Sequence, residues 1–510
     1  MKANHKSKIS LVPNQFKNEI FILILIVIIS FFLRFYGVGD LGFNNDEAIY
    51  VAQAASLADY EEFREHFSIF RAHPLLMQFF VSLSLSLLGI SEISARLIPV
   101  LMGTGIVFLS YFIAKFIYSK KVAIVSAIII ALLPYHIIIS KQVLVDVSFS
   151  FFLTLNILLL VIYLKGNTNK GLLLFLIGSC SGFSFLSKEI GLIVLIASII
   201  TISLSKKNYI KNITIILSTF LIVTSPYWIS FLFIEDAQKS IIEYFNWQSS
   251  RPSNHDQIYY LEVLLKESIG YPLSFLVLIF YVHFIFHRKL WNSLTILIPF
   301  IWIPILFIFF QIVPIKNFTF LYSIVPLFVI VGISVLFNSQ LNKIRFNNII
   351  ILILIPVILI SNTFFFNNFV FSLPYYPTLG SESVTFMKDA SLWLKENTPK
   401  NSTALTLYTH MSNLIKFYSQ RDSIALQSNN NPAYDKIDDA DFLIVAKKIN
   451  YIVYEKVQLD NANFLRNEAK KMDEYIKKYN AIPVYTSYAN HTNGEGKSSS
   501  KPAIIIYAIN

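Results

Sequence analysis

The sequence predicts a polytopic α-helical membrane protein of about eleven transmembrane helices carrying a C-terminal extracytoplasmic α/β domain. Three observations lead there. Of 510 residues, 55% are hydrophobic and only 14% charged, with mean hydropathy +0.58; a soluble core of this length has no use for so much apolar surface. Apolar runs long enough to approach a bilayer crossing recur along the first three quarters of the chain. From about 374 the pattern changes to short β-rich runs between helical stretches. The division expected is a transmembrane catalytic module over 1–373, with an outer loop at 37–92, and a soluble domain over 374–510.

The first run, roughly 19–36, follows Lys2, Lys6 and Lys8 and ends at Arg34-Phe35-Tyr36, with no small-residue cleavage site nearby. It reads as a retained helix with a cytoplasmic N-terminus. Further runs lie at about 93–117, 121–139, 147–164, 171–187, 190–204, 212–233, 269–286, 291–311, 318–337 and 349–370. The run 74–88 is ambiguous, and charge decides it. If it lies flat on the surface, Lys120-Lys121, Lys165 with Lys170, Lys206-Lys207 with Lys211, Arg288-Lys289 and Lys343 with Arg345 all fall in cytoplasmic loops, as the positive-inside rule requires. The net charge of +11 is thus a topology signal rather than a nucleic-acid surface.

The same topology places another set of ionisable residues outside: the loop 37–92, Lys141 and Asp146, Lys188-Glu189, the loop 234–268 and Lys316. Ionisable groups at membrane depth are costly and mark substrate pathways. The lone cysteine, Cys180, excludes an intrachain disulfide and a cysteine metal cluster. No set of residues has metal-ligand spacing, so no obligatory metal or other cofactor is expected, with a divalent cation left open.

Beyond Pro374-Tyr375-Tyr376-Pro377, helical spacing is expected at 384–396, 411–419 and 462–479, and strands at Ala404–Tyr408, Tyr451–Tyr454, Ile482–Ser487 and Ala503–Tyr507. The Gly-, Ser- and Asn-rich stretch 490–501 reads as a loop. Asp438-Asp439-Ala440-Asp441 contains an Asp-x-Asp but reads as a turn or helix start rather than a metal site. Asn401-Ser402-Thr403 and Asn490-His491-Thr492 match the N-glycosylation pattern, a common chance match in an Asn-rich chain.

The chemistry concentrates at Asn44-Asn45-Asp46-Glu47-Ala48-Ile49-Tyr50. Asn44 or Asn45 can cap a helix whose first turn then holds two acids. Such acids serve equally as a water-facing helix start or as a base with an orienting partner. Arg71, His73-Pro74 and Arg96 follow, with Arg96 within reach of Glu47 as a buried ion pair or free to snorkel.

The order Asp46-Glu47, His73-Pro74, Gly89-Ile90-Ser91-Glu92, Ala95-Arg96-Leu97 with Pro99, then Ser140, Asp146, Ser187-Lys188 and Lys316 to Phe320 with Pro326 resembles the GT-C superfamily of membrane glycosyltransferases. It looks closest to the protein O-mannosyltransferase and lipid A aminoarabinose-transferase branch, over about 35–330. The resemblance implies a polyprenyl- or dolichyl-phosphate-linked sugar donor, transfer at the outer face with inversion, and a surface helix at 74–88. The family's first-loop acid falls on Asp46, with Glu47 beside it, and its helix-boundary arginine on Arg96. Asp46 and Glu47 are then the expected catalytic pair. Arg71, His73, Arg96, Asp146, Lys188, Arg251 and Lys316 are the expected substrate-binding residues, the cations stabilising the leaving lipid phosphate. An interfacial snorkelling role is the alternative for each lysine and arginine.

Two departures matter. The first outer loop lacks a paired Asp-x-Asp and the C-terminal domain a Trp-Trp-Asp, so transfer of a whole glycan onto asparagine is disfavoured. The acceptor, an extracytoplasmic protein, lipid or glycan hydroxyl, stays unassigned, as does the sugar. Localisation in the plasma membrane follows, in contact with membrane lipids and with no nucleic acid partner. A flippase or transporter of lipid-linked sugars is the alternative function; against it, the ionisable residues gather at one membrane face rather than at the midplane.

Overall fold

The computed structural model describes residues 14–64, 66–67, 74–166, 170–205, 208–233, 255–337, 381–426, 439–456, 466–492 and 498–509, with isolated positions between some of these stretches. The expected span at 349–370 lies largely outside them, and the break at Pro374–Pro377 entirely so.

The helices of the first part are α1 (Asn14–Phe35), α2 (Asn45–Leu57), α3 (Leu76–Leu88), α4 (Glu92–Ile117), α5 (Lys120–Leu132), α6 (Pro134–Ile139), α7 (Val145–Lys165), α8 (Lys170–Ser187), α9 (Leu192–Leu204) and α10 (Tyr209–Phe233). They continue as α11 (Tyr259–Val263), α12 (Gly270–Phe286), α13 (Leu294–Ile312) and α14 (Val325–Phe337). Among the described residues, six helices are long and apolar enough to cross a membrane, or seven when a bent pair counts as one span. The chain is therefore a multi-pass membrane protein, but the count of eleven is not reproduced. The shortfall has a physical form: several expected spans are short or broken. Helices α9 and α14 have 13 residues each, about 20 Å of rise against a hydrocarbon core of about 30 Å.

The expected span 121–139 is broken at Pro134 into α5 and α6. Proline has no N–H, so the carbonyl of Ile130 loses its helical donor. Arg34, fully buried at the end of α1, replaces it: Nη2 donates to Ile130 O at 3.2 Å and Nη1 to Ala131 O at 3.1 Å. The expected loop 234–268 also holds unforeseen structure. Residues Tyr259–Ser268 form a helical arm bent by 118° from α12. Gly270, at φ +75°, supplies the left-handed backbone at that bend.

Helices α4, α7 and α8 form the buried centre, while α1 and α10 keep apolar side chains such as Phe21, Phe32, Ile222 and Leu232 exposed. On a membrane-spanning bundle such faces belong to lipid. Helix α3, the ambiguous run, packs on α2 and α4 and, at 13 residues, is also too short to cross.

The C-terminal part is a five-stranded mixed sheet in the order β2-β1-β3-β5-β4. The strands are β1 (Thr403–Thr406), β2 (Asp422–Ala425), β3 (Tyr451–Glu455), β4 (Ile482–Thr492) and β5 (Ser498–Ala508). Strand β1 runs parallel to β2 and β3, and β5 antiparallel to β3 and β4. Helices α15 (Ser381–Asn397), α16 (Thr409–Ser419), α17 (Asp441–Val445) and α18 (Arg466–Lys478) accompany it. Strand β2 was not expected from the sequence. The presumed loop 490–501 is narrower than expected, since pairing continues out to Thr492 with Ser498.

Helix α16 connects β1 to β2 and packs on both, yet it is buried nearly all round. Its other side is covered by α2 and the loop before it. Phe43 N donates to Tyr418 Oη at 2.6 Å, and the Phe43 ring meets Phe417 edge-on at 5.2 Å. Lys388 and Tyr418 both donate to Glu92, at 2.6 and 3.1 Å, and His66 lies 3.0 Å from Asp422.

Candidate active site

The site begins at the N-terminus of α2. Asn44, in extended conformation, caps the helix: its side chain accepts from Glu47 N at 3.0 Å, and Asn44 N donates to Glu47 Oε2 at 3.1 Å. This reciprocal box satisfies two otherwise orphaned donors and fixes where the helix starts. Two adjacent acids then diverge by helical geometry, with Glu47 turned into the bundle and Asp46 left exposed.

Glu47 meets Arg96 from α4 as a bidentate pair, Nε to Oε1 and Nη2 to Oε2, both at 2.9 Å, with both side chains 0% exposed. Oε1 also accepts from Val143 N at 2.9 Å. Each oxygen of Glu47 therefore holds two N–H donors. The remaining N–H groups of Arg96 go to the carbonyls of Val38 (2.6 Å), Leu41 (2.8 Å) and Gly42 (2.9 Å), and the guanidinium carbon lies 4.9 Å from the Phe43 ring centre.

This geometry bears on two expectations. Both oxygens of Glu47, one of the expected catalytic pair, are taken up by N–H donors of the protein, and the residue fixes the start of the helix that carries Asp46. Arg96, expected among the substrate-binding residues, has every guanidinium N–H engaged within the protein and ties loop 38–42 to α4. The ion pair itself, anticipated as one option, is present.

Asp46 is the carboxylate of the two that stays exposed. Its Oδ1 accepts from Asn45 Nδ2 at 3.2 Å, and it sits in the first turn, where the helix dipole favours an anion. A second acid stands close in the architecture. The segment 140–144 binds the start of α2 through Gln142, which accepts from Asn44 Nδ2 at 2.9 Å, and through Val143 N. It then leads directly into α7, whose first turn carries Asp146. Two acidic helix starts are thereby tied to one loop.

Asp146 accepts from Lys188 Nζ at 2.8 Å, and that ammonium lies 3.9 Å from the Phe320 ring centre. Lys188 is held by a tight turn between α8 and α9. Gly191 N donates to Lys188 O at 2.8 Å, and a Cβ at Gly191 would lie 2.3 Å from the Ser184 backbone. Lys316 is buried next to Asn317, whose N–H donates to Tyr260 Oη at 3.0 Å, and Tyr260 stacks with Phe320. The structure thus joins Asp146 to Lys188 as a pair and places Lys316 four residues from the ring beneath that pair. Arg71, His73 and Arg251 lie outside the described residues.

Two residues were not singled out for this site by sequence reasoning. Lys141 is buried and donates to Tyr36 O at 2.7 Å; burial lowers its pKa to about 8, with Asp40 opposing. His410, in the first turn of α16, is pushed below the ordinary histidine value by burial, while the negative charge of Asp46 pulls the other way. Lys141 lay in the outer set already, but nothing local in the sequence marks His410.

Among the described residues, no group of three His, Cys, Asp or Glu side chains stands where it could hold a metal ion. The Asp-x-Asp of the small domain is occupied: Asp439 accepts from Asp441 N and Tyr475 Oη, and Asp441 from Lys478 and Tyr479. The expectation of a helix start there agrees with α17 beginning at Asp441.

Residues 72–229 match the sequence profile of the family described as dolichyl-phosphate-mannose-protein mannosyltransferase. No curated protein matches the chain. Among solved structures, apo ArnT from Cupriavidus metallidurans superposes with a TM-score of 0.68 at 10% identity, covering 97% of this chain and 98% of that one. The same protein bound to undecaprenyl phosphate gives 0.65 at 12% identity, covering 95% and 97%. The archaeal oligosaccharyltransferase AglB from Archaeoglobus fulgidus, in complex with an inhibitory peptide and a dolichol-phosphate, gives 0.61 at 12% identity, covering 96% of this chain and 75% of that one. At these identities the likeness is one of fold, and the fold is the GT-C membrane fold expected from the sequence.

Proposed function

We propose that this chain is a glycosyltransferase that moves a single sugar from a polyprenyl-phosphate-linked donor to a hydroxyl of an extracytoplasmic protein, lipid or glycan, with inversion. The observation that carries the reading is the divergence of Asp46 from Glu47: one carboxylate is locked beneath the helix start and the other is presented, unburied, above it. A base needs that combination of fixed backbone and free oxygen. The undecaprenyl phosphate bound by ArnT and the dolichol-phosphate bound by AglB support a lipid-phosphate donor. The basic clusters between spans support a cytoplasmic N-terminus, with the site and the 374–510 domain on the outer side.

In this mechanism the acceptor hydroxyl gives its proton to Asp46 as its oxygen attacks the anomeric carbon. The bond from that carbon to the phosphate oxygen breaks on the opposite face, and its electron pair leaves on the lipid phosphate. Lys188 and Lys316 supply positive charge for the departing phosphate monoester. Lys188 is shared with Asp146 until the donor arrives, and Phe320 limits the water around it.

The reading is tested with purified protein in nanodiscs and radiolabelled polyprenyl-phosphate sugars, comparing wild type with Asp46→Asn. The expected result is donor turnover, by transfer or slow hydrolysis, that falls by about 10²–10⁴ in the variant. Equal turnover in both would remove Asp46 from the chemistry. Lipid binding without turnover of any donor would favour a transporter.

A further inference from the structure

The small domain reaches the start of α2 through polar as well as apolar contacts. Asn413 of α16 donates through Nδ2 to Asn45 Oδ1 at 2.9 Å, and Asn45 in turn donates to Asp46. His410 lies three residues before Asn413, so the two share a face of α16. That face looks onto the first turn of α2. The imidazole is half-buried, with the Tyr408 ring centre 5.5 Å away. It is near enough to Asp46 to feel its charge, yet no direct hydrogen bond joins the two side chains.

The Asn413–Asn45 bond sets this face of α16 against the helix start that carries Asp46, so a carboxylate and a neutral donor–acceptor ring stand on the two sides of one contact. We propose that His410 is an acceptor-binding residue: the incoming hydroxyl compound lies between Asp46 and His410, giving its reacting proton to Asp46 while the imidazole holds a neighbouring oxygen. Burial keeps the imidazole neutral at pH 7, so it hydrogen-bonds the acceptor without placing a second charge beside the base. The sugar-bearing side of the reaction is served from the membrane module alone. The acceptor is thus gripped jointly, from α2 and from α16, and the ligand class is a polyol or other compound with more than one hydroxyl.

This inference rests on the proposed transferase reading, and its test separates the two. Wild type, His410→Ala and His410→Gln are each given a radiolabelled polyprenyl-phosphate sugar with molar glycerol as the probe acceptor. Free sugar and glycosyl-glycerol are counted from the same reaction. The expected outcome is a glycerol-to-water partition ratio at least tenfold lower in His410→Ala, with donor cleavage within threefold of wild type. His410→Gln, which keeps a side-chain donor and acceptor, should recover most of the ratio.

Because the ratio is internal to each reaction, loss of folded protein does not change it. An unchanged ratio in His410→Ala, or no glycosyl-glycerol from a wild type that hydrolyses donor, overturns the assignment. A parallel fall of both products with the ratio kept means that His410 only supports the fold, and overturns it too. Failure of the transferase reading looks different: donor cleavage that is absent from wild type or indifferent to Asp46→Asn.

Discussion

Two carboxylate–cation pairs sit beside helix starts in this molecule, and they are built to opposite specifications. Glu47 and Arg96 share two hydrogen bonds, have side chains 0% exposed, and spend every remaining N–H and lone pair on backbone groups. Asp146 and Lys188 share one hydrogen bond, keep 10% and 15% of their side chains exposed, and rest against an aromatic ring. The first pair cannot be opened without stranding charge in the bundle. The second, held by one hydrogen bond, is the less saturated of the two. Charge type and proximity to a helix end are the same in both; saturation is what differs.

Breaking the first pair should produce the largest effect. Arg96→Ala leaves Glu47 buried and unpaired, and removal of one member of such a pair destabilises by about 3–5 kcal/mol. Thermal unfolding in detergent should show a large drop in midpoint, and Glu47→Gln should follow in the same direction but less. Near-normal stability in Arg96→Ala would contradict the scaffold assignment.

The second pair predicts a smaller loss of stability and a larger loss of turnover. Lys188→Met leaves the buried Asp146 without its cation and should lower stability, though less than Arg96→Ala because one hydrogen bond to the carboxylate is lost rather than two, while donor turnover falls by about 10²–10³ through loss of one preorganised charge. Stability and turnover measured on one preparation check both halves. A stability loss as large as that of Arg96→Ala would erase the contrast between the pairs.

Lys141 sharpens the comparison as an intermediate case, a buried ammonium satisfied by a backbone carbonyl. Its pKa is about 8 in the fold against 10.5 for the free side chain. The folded state therefore disfavours the charged form, and the penalty is present in full below about pH 8. It is relieved as pH rises from there toward 10.5. Unfolding midpoints of wild type should gain on those of Lys141→Met across that window; parallel curves would show that Lys141 is not desolvated.

The smallest effect belongs to the bond between the two regions. Asn413→Ala should lose about 1 kcal/mol without unfolding either part, read by denaturant titration.

How far the sequence led follows from the range of the interactions. Hydrophobic runs are local, so most helices of the bundle, four of the five strands and the start of α2 were legible. Asp46-Glu47 with Arg96 was legible because type and order sufficed to single them out. What the acids do was not, because the donors that saturate Glu47 come from Arg96 and Val143, 49 and 96 positions away. Strand β2 is four residues, Asp422–Ala425, too short to show a period. The break at Pro134 left its signal in the sequence, yet its repair by Arg34 is a contact across 96 positions. His410 reaches Asp46 only through the docking of α16.

The double covering of α16 also sets an order in time. Phe43 and Tyr418 are 375 positions apart, and a ribosome adding about 5–20 residues per second needs on the order of tens of seconds to make the difference. During that interval the first outer loop is already delivered and its counterpart does not yet exist. The nascent chain therefore carries the Phe43 side of this contact with its partner ring still unmade, and the contact closes only near the end of synthesis.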